Sequence, residues 1–321
     1  MADWRTRFRY DPVPSLAASS DLALRYSFER DVLGETDIAL TDVWASKPAR
    51  AILRRQQPDG GWRSTSRSVW KLVDDDQYES FKRLGELVEQ YRLDADHPAI
   101  RRAAEYFLAH QRAEGDLRGI YGVQYTPNYS AAIVELLVKA GLGADERIIA
   151  SLDWLNASRQ QDGGWALPFR TQGYNLDAFD RTETIEADSD KRSSCMVTGV
   201  VLRALAVHPQ YGHRPSVRDA AGVLADGMFG VDAYPDRRSA DFWTRFAFPF
   251  VYTDLLSALD TLSRIGGFTT HPNVERALHW LESHQAPDGQ FDIHIVRGNK
   301  ERQRPWHSLV VCRIYQRLFG R

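Results

Sequence analysis

Hydrophobic residues recur along most of this chain with the spacing of α-helices. Between positions 129 and 140 the apolar residues fall at intervals of three and four, the pattern of one buried helix face: Tyr129, Ala132, Ile133, Leu136, Leu137 and Ala140. Gly141 follows and suits a helix end. Similar apolar stretches cover 196–207, 252–265 and 309–319, and amphipathic stretches such as 99–111, 146–159 and 273–285 come before the apolar ones. The pattern predicts an all-α chain of helix pairs.

A short turn with a repeated sequence separates the two helices of each pair. Residues 56–62 read Gln-Gln-Pro-Asp-Gly-Gly-Trp, residues 159–165 repeat this with Arg in the leading position, and residues 285–291 end in Phe instead of Trp. Degenerate copies occur at 111–115 and 226–229. The acidic residues of the five copies, at positions 59, 114, 162, 226 and 288, are 48 to 64 residues apart, which suits two helices and their loops.

The residue types of this turn explain why a helix ends there. Glycine accepts a positive φ angle, and aspartate bonds to the backbone that follows it. We expect the leading glutamine to satisfy unpaired carbonyl groups at the helix end, and the aromatic residue to cover that polar end.

The turn Gln-x-x-Asp-Gly-x-Trp resembles the QW repeat of squalene and terpene cyclases and of protein prenyltransferase β subunits. The resemblance covers residues 44–321 as five repeats, and in outline it is closest to the β-type domains of class II terpene cyclases. Residues 1–43 supply an N-terminal segment and a first helix. The resemblance implies a single domain over residues 1–321, an α/α toroid of about five to six helical hairpins with inner and outer helix rings. In that superfamily the central cavity holds an isoprenoid.

Composition excludes several other kinds of protein. The net charge of −2 and the pI of about 6.5 give no basic field for nucleic acid. No stretch approaches the roughly 20 apolar residues that a transmembrane helix needs. Two cysteines give no disulfide framework, and the first residues lack the apolar core of a signal peptide. We expect a cytoplasmic protein, and the resemblance adds a small hydrophobic, isoprenoid partner; a partner chain or a homo-oligomer is compatible with both.

The long loops that follow the turns are expected to lie together on one face of the ring, where a site would form. The longest, 166–193, contains Asp188-Ser189-Asp190-Lys191. This segment resembles the Asp-x-Asp-Asp motif of class II terpene cyclases, with Lys191 in place of the last aspartate. The resemblance implies that Asp190 is the catalytic acid that protonates an alkene and that Asp188 raises its pKa. The alternative is that these acids favour a helix N-terminus.

Basic and aromatic residues of the long loops are candidates for substrate binding. We expect Arg245 and Arg304 to bind a diphosphate, because guanidinium groups match phosphate oxygens. Aromatic faces stabilise carbocations by cation–π attraction. The remaining candidates are Tyr174, Trp243, Tyr252, Trp306 and His307. A solvated charged loop and ordinary core packing are the alternatives.

One acidic segment is a candidate metal site. Asp75, Asp76 and Glu79 match the Asp-Asp-x-x-Glu pattern by which class I terpene synthases hold Mg²⁺ and diphosphate, although a second class I motif is missing. The leading hypothesis requires no cofactor, and Mg²⁺ is expected only with a diphosphate substrate.

Several functions remain open at this stage. The leading hypothesis is a class II terpene cyclase-like enzyme that protonates an alkene or polyene. The second is a non-catalytic toroid that binds a hydrophobic ligand or a partner protein. The others are a prenyltransferase-like enzyme with zinc on Asp190, Cys195 and His307, and a carbohydrate-active α/α barrel with carboxylates from Asp180, Glu183 and Asp292.

Overall fold

The computed structural model describes residues 3–320, and 55% of the chain is helix and 3% strand. Two strands of two residues each, β1 (Arg245–Phe246) and β2 (His294–Ile295), pair in parallel. No helix in the described part of the chain is both long and apolar enough to cross a membrane. The α-helices of the described residues are α1 (Val13–Ala17), α2 (Leu22–Phe28), α3 (Leu40–Trp44), α4 (Lys47–Leu53), α5 (Asp75–Gly85), α6 (Pro98–Leu108), α7 (Pro127–Leu137), α8 (Glu146–Ala157), α9 (Pro168–Thr171), α10 (Cys195–Val207), α11 (Pro215–Gly227), α12 (Leu255–Ile265), α13 (Pro272–Ser283) and α14 (Lys300–Phe319).

Three of these helices are extended at their C-terminal ends by π-helical segments. Glu29–Leu33 extends α2, Glu86–Gln90 extends α5, and Val138–Leu142 extends α7. Short 3₁₀-helices lie in the loops and near the N-terminus, at Trp4–Arg7, Leu176–Asp180, Pro235–Arg237 and Ala240–Thr244.

The helices form two concentric rings, and burial separates them. Ten of the eleven residues of α7 are buried, whereas only four of the twelve residues of α8 are. The inner ring runs α2, α5, α7, α10, α12 and α14, each in contact with the next, and α14 contacts α2 to close it. The outer ring consists of α4, α6, α8, α11 and α13, with residues 4–17 beside α14 and α2. The predicted α/α toroid with inner and outer helices is confirmed.

In the first two turns the leading glutamine joins one repeat to the next. Gln56 Nε2 donates to the carbonyl oxygen of Gly60 in its own turn (2.9 Å) and to that of Ala99 at the start of α6 (2.8 Å). Gln111 Nε2 donates in the same way to the carbonyl oxygen of Arg147 at the start of α8 (2.7 Å). The acceptors of this side chain therefore lie in the turn and in the following outer helix, and the bond ties neighbouring repeats together.

Four of the five turns are also held to their inner helix by a hydroxyl group. Trp62 N donates to Ser80 Oγ at 2.7 Å, and Trp165 N donates to Thr198 Oγ1 at 3.0 Å. The corresponding pairs in the second and fifth turns are Leu117 with Ser130 (3.0 Å) and Phe291 with Ser308 (3.2 Å). The buried backbone N–H group of the turn, which lies outside any helix, thus keeps a hydrogen-bond partner.

The ring closes between the last turn and the N-terminal segment. Gln285 Nε2 donates to the carbonyl oxygen of Tyr10 (2.6 Å), and Tyr10 N donates back to Gln285 Oε1 (2.9 Å). The ring of Phe8 packs 5.4 Å from that of Phe291 and 4.4 Å from that of Tyr315. Tyr10 therefore takes the place that the next outer helix occupies at the other turns.

The centre of the ring is occupied by residues 246–253, which we call the central segment. Phe248 stacks on Trp306 of α14 with the ring centroids 5.8 Å apart. Arg203 of α10 lies 5.5 Å over the ring of Phe250, and its Nη1 donates to the carbonyl oxygen of Tyr252 (3.1 Å). The segment therefore packs between inner helices and fills the core that the toroid surrounds.

Candidate functional site

A cleft of 570 Å³ lies beside the central segment, and we call it the central cleft. Its walls come from α4, α5, α7, the central segment and residues 297–303. The volume falls within the range of small-molecule sites, roughly 300–1,000 Å³. The cleft is therefore large enough to hold an organic ligand within the ring.

The inner part of the central cleft is apolar and aromatic. Phe81 of α5 and Leu136 of α7 line it together with Phe248, Pro249 and Phe250 of the central segment. All of these hydrophobic side chains except Pro249 belong to the buried core. Such a wall removes a hydrocarbon from water and presents aromatic faces to any cation that forms there.

The cleft is bordered by five basic side chains, Arg55, Lys82, Arg83, Arg297 and Arg302. Arg55, Arg297 and Arg302 are exposed, and Arg297 and Arg302 are each held by a tyrosine. Arg297 Nη2 donates to the hydroxyl of Tyr78 (2.9 Å), and Arg302 Nη2 donates to that of Tyr91 (3.0 Å). Because a neutral phenol positions the guanidinium without cancelling its charge, this rim suits an anionic group.

Lys82 and Arg83 differ from the exposed rim arginines because both pair with one carboxylate, that of Glu79. Lys82 Nζ lies 2.5 Å and Arg83 Nη2 lies 2.7 Å from Glu79, and Arg83 also pairs with Glu86 at 3.0 Å. Burial alone raises the pKa of Glu79, but the two cations outweigh it and lower that pKa. The positive charges of Lys82 and Arg83 are therefore largely neutralised, and these side chains contribute mainly to the packing of the cleft wall.

Asp188 and Asp190 lie on the surface, beside the third turn. Asp190 is exposed, and Gln161 Nε2 donates to its carboxylate. Gln160 Nε2 donates to the carbonyl oxygen of Asp188 at 2.7 Å, and Lys191 Nζ lies 3.8 Å from the Asp188 carboxylate. Within the described residues, the lining of the central cleft includes nothing from the loop 166–194.

The predicted arginines Arg245 and Arg304 lie outside the lining of the central cleft. Arg304 forms two hydrogen bonds with the Asp288 carboxylate (2.7 and 2.9 Å), which holds the fifth turn to α14. Arg245 lies 5.1 Å over the ring of Phe242. The rim arginines Arg297 and Arg302 belong to the same basic stretch as Arg304, and that stretch was the signal for them in the sequence.

The predicted aromatic residues are also dispersed. Tyr174 is exposed under Arg181 (5.0 Å), and buried Trp243 donates its Nε1 hydrogen to the carbonyl oxygen of Gly230 (2.9 Å). Tyr252 donates to the carbonyl oxygen of Arg245 (3.0 Å). The structure brings two candidates together behind the cleft wall, since Trp306 and His307 both pack against Phe248.

His307 is fully buried at that position. Its Nδ1 lies 2.8 Å from the carbonyl oxygen of Gln303, and its Nε2 has no hydrogen-bond partner. Burial lowers the pKa of His307 to about 4. The imidazole is therefore neutral at pH 7, and its ring packs against that of Phe248.

The acidic candidates for a metal site are engaged with the loop before α5. Ser68 N donates to Asp75 (2.7 Å), Ser64 N donates to Asp76 (2.8 Å), and Glu79 pairs with the two bases described above. Over the described residues, no group of three or more histidine, cysteine, aspartate or glutamate side chains is arranged to hold a metal ion. Asp190, Cys195 and His307 are likewise not brought together.

A buried carboxyl group that the sequence reasoning missed lies at the end of the central segment. Asp254 caps α12, its Oδ1 accepts from Ser257 N (2.7 Å), and its Oδ2 is buried without a hydrogen-bond partner. Burial raises the pKa of Asp254 to about 6, against the opposing effects of Ser257 and Arg203. Its sequence signal is an aspartate directly before an inner helix, the position that the sequence analysis gave to Asp190.

Comparison with known proteins identifies one family and one group of similar folds. Residues 69–198 match the squalene-hopene cyclase C-terminal domain family. No curated protein sequence matches the chain. Among solved structures the chain is similar to the type II terpene cyclase MstE from Scytonema: to a variant in complex with its substrate geranylgeranyl dihydroxybenzoate (14% identity, 95% of each chain, TM-score 0.46) and to the apo protein (13% identity, 95% of this chain and 94% of the other, TM-score 0.46).

The matched residues run from the loop before α5 to the start of α10, and so cover the inner helices α5 and α7 and the second and third turns. The resemblance that the repeated turns indicated is confirmed by the family match over residues 69–198, within a chain that folds as an α/α toroid.

Proposed function

We propose that this protein binds an isoprenoid with an anionic head group in the central cleft and acts on it as a class II terpene cyclase-like enzyme. The observation that carries the proposal is the cleft itself, an aromatic interior beside Phe248 and Phe250 with exposed Arg297 and Arg302 at its rim. The interior suits the hydrocarbon, and the rim suits the anion.

The reaction would begin with a proton and would need no metal, as in class II terpene cyclases. A carboxylic acid adds its proton to one carbon of an alkene and leaves a carbocation on the other. A second alkene attacks that cation and closes a carbon–carbon bond, and loss of a proton from the product cation ends the sequence. The aromatic rings of Phe81, Phe248 and Phe250 would stabilise the cation and exclude water.

Two carboxyl groups are candidates for the acid. Asp190 is the candidate from the resemblance to the Asp-x-Asp-Asp motif, with Asp188 beside it. Asp254 is the candidate from burial: it lies at the end of the central segment, outside the cleft lining, and its pKa of about 6 keeps part of it protonated near neutral pH. Both remain proposals.

Product analysis after incubation with farnesyl and geranylgeranyl diphosphate tests this function. We expect cyclised product from the wild type, and its loss in Asp190→Asn or in Asp254→Asn identifies the acid. Arg297→Gln combined with Arg302→Gln should weaken substrate binding, whereas Arg218→Gln on the outer surface is the control. Failure of the wild type to bind either diphosphate contradicts the proposal.

The second candidate is a toroid that binds an isoprenoid without changing it. The exposed position of Asp190, bonded to Gln161 and outside the cleft, favours this alternative. Recovery of unaltered ligand from the wild type after long incubation, with binding that still depends on Arg297 and Arg302, supports it over catalysis.

A further inference from the structure

A second cavity lies at the opposite ends of the inner helices, and we call it the charged chamber. It has a volume of 470 Å³, and each of the six inner helices or its extension contributes to its lining. Six basic side chains line it: Arg30, Arg92, Lys139, Arg264, Arg313 and Arg317. The chamber is separate from the central cleft, because the two share no lining residue.

The acidic residues of the chamber lining are fewer than the basic ones. Only Asp31, Glu89 and Asp94 carry negative charge there. Five of the six bases are paired: Arg92 and Arg313 share Asp31, and Lys139 pairs with Glu89 and Glu135. Arg264 and Arg317 share Asp260, a buried carboxylate outside the lining. With Glu135 and Asp260 counted beside the three acids of the lining, the six bases still exceed the carboxylates by one positive charge in a partly enclosed space, which favours an anion.

Two guanidinium groups of α14 are not fully bonded. The Nε atoms of Arg313 and Arg317 are buried and have no hydrogen-bond partner among the described residues. Burial, together with the neighbouring charge of Arg92, lowers the pKa of Arg313 to about 10. A buried charged donor without an acceptor costs free energy.

The helix dipoles account for only part of this arrangement. Helix C-terminal ends favour cations, and all six inner helices end at this face. If the arginines served only those ends, their N–H groups would donate to the terminal carbonyl oxygens. The free Nε atoms of Arg313 and Arg317 show that part of the donor capacity is not used in this way.

We propose that the charged chamber binds a small multivalent anion of the phosphate class. Guanidinium groups match phosphate oxygens in pairs, and cations from α2, α12 and α14 converge on one volume. The lining has only three apolar side chains, Val88, Leu93 and Val207, so it offers no wall for a hydrocarbon tail. The ligand is therefore a free phosphate compound, distinct from the amphiphile of the cleft, and the site does not depend on the proposed function.

Titration calorimetry with pyrophosphate on the full chain tests the chamber. We expect binding that weakens as salt is raised, and a loss of about tenfold in affinity in Arg313→Gln. Because a buried substitution risks the fold, Arg30→Gln serves as the second variant: Arg30 is exposed at the chamber, and its side chain bonds only to Tyr26. It should weaken pyrophosphate binding in the same direction while the far-ultraviolet circular dichroism stays unchanged.

Two comparisons locate the anion. Arg297→Gln at the cleft rim should leave pyrophosphate affinity unchanged, and Arg30→Gln should leave farnesyl diphosphate affinity unchanged. The proposal is overturned if wild-type protein does not bind pyrophosphate, if Arg297→Gln weakens it as much as Arg30→Gln does, or if Arg30→Gln weakens farnesyl diphosphate equally. The last result would place an isoprenoid head group, rather than a free anion, in the chamber.

Discussion

The indole nitrogen of Trp165 donates a hydrogen bond of 2.7 Å to the carbonyl oxygen of Leu155, ten residues earlier in the last turn of α8. Trp62 makes the same bond to Ile52 (2.9 Å) in α4. The tryptophan of the turn therefore packs under the outer helix and also satisfies one of the carbonyl groups that its end leaves free.

We expect Trp165→Phe to lower the free energy of unfolding by about 1–3 kcal/mol, because an aromatic ring remains but a buried carbonyl loses its donor. Trp165→Ala should cost more, about 3–5 kcal/mol, since a fully buried side chain leaves a cavity. Urea unfolding measures both, with exposed Tyr174→Phe as the control. Equal stability of wild type and Trp165→Phe would contradict the role of the bond.

The glycines of the turns offer a matched comparison. Gly60 and Gly163 both have a φ of +93°, so alanine strains the backbone equally at the two positions. A Cβ at Gly60 would overlap the carbonyl oxygen of Arg102 in the next outer helix, whereas at Gly163 the nearest atom, Val223 Cγ2, lies 3.8 Å away. We expect Gly60→Ala to be less stable than Gly163→Ala by about 1–3 kcal/mol. Equal losses would mean that neighbouring repeats are not in close contact at this point.

The ion pair between Arg203 and Glu135 should contribute strongly to a defined structure at the ring centre. Both side chains are buried, Arg203 Nε lies 2.9 Å from Glu135, and Lys139 is the other partner of this carboxylate. We expect Arg203→Met to cost about 3–5 kcal/mol, because it leaves a buried charge with half of its partners. Arg25→Met, which breaks a partly exposed pair with Glu29 at 3.7 Å, should cost less than about 1 kcal/mol. A small loss for Arg203→Met would show that Lys139 alone satisfies the carboxylate.

His307 should make the fold sensitive to mild acid. Its pKa is about 4 in the folded protein and 6.5 in its ordinary state, so the unfolded chain takes up the proton first. The stabilising contribution is complete above pH 6.5 and is lost as the pH falls towards 4. Between pH 7 and pH 5 we expect His307 to account for a loss of about 2 kcal/mol.

The comparison of wild type with His307→Gln at the two pH values isolates this contribution. The difference in unfolding free energy between them should shrink as the pH is lowered. Exposed His213→Gln is the control and should show no such change. A constant difference for His307→Gln would mean that the imidazole is already charged in the fold.

The repeated architecture was predictable because local chemistry sets it. The predicted helix around Tyr129–Ala140 appears as α7 with its extension, and the Asp-Gly turns end the outer helices where they were expected. One inner helix was predicted too short. The apolar pattern placed its start at 309, but α14 begins at Lys300, where Asn299 accepts from Arg302 N (3.0 Å) and the helix continues through Pro305.

The site was much less predictable, because long-range packing determines it. Phe248 and Phe250 belong to no helical pattern, and only the surrounding inner helices bring them to the ring centre. Arg302 and Arg304 are two residues apart in one helix, yet one lines the cleft and the other pairs with Asp288. Sequence alone does not choose between them, since the choice depends on which helix face meets the cleft.

The contact between Gln285 and Tyr10 also sets an order for biosynthesis. These residues are 275 positions apart, so the first segment leaves the ribosome long before its partner exists. An open solenoid gains stability with each repeat that is added. In this protein the conformational entropy lost on closing the ring is compensated only when the contacts of the last turn form. Until then the faces of α14 and α2 that meet at the seam stay exposed, and their contact fixes the number of repeats that the finished ring accepts.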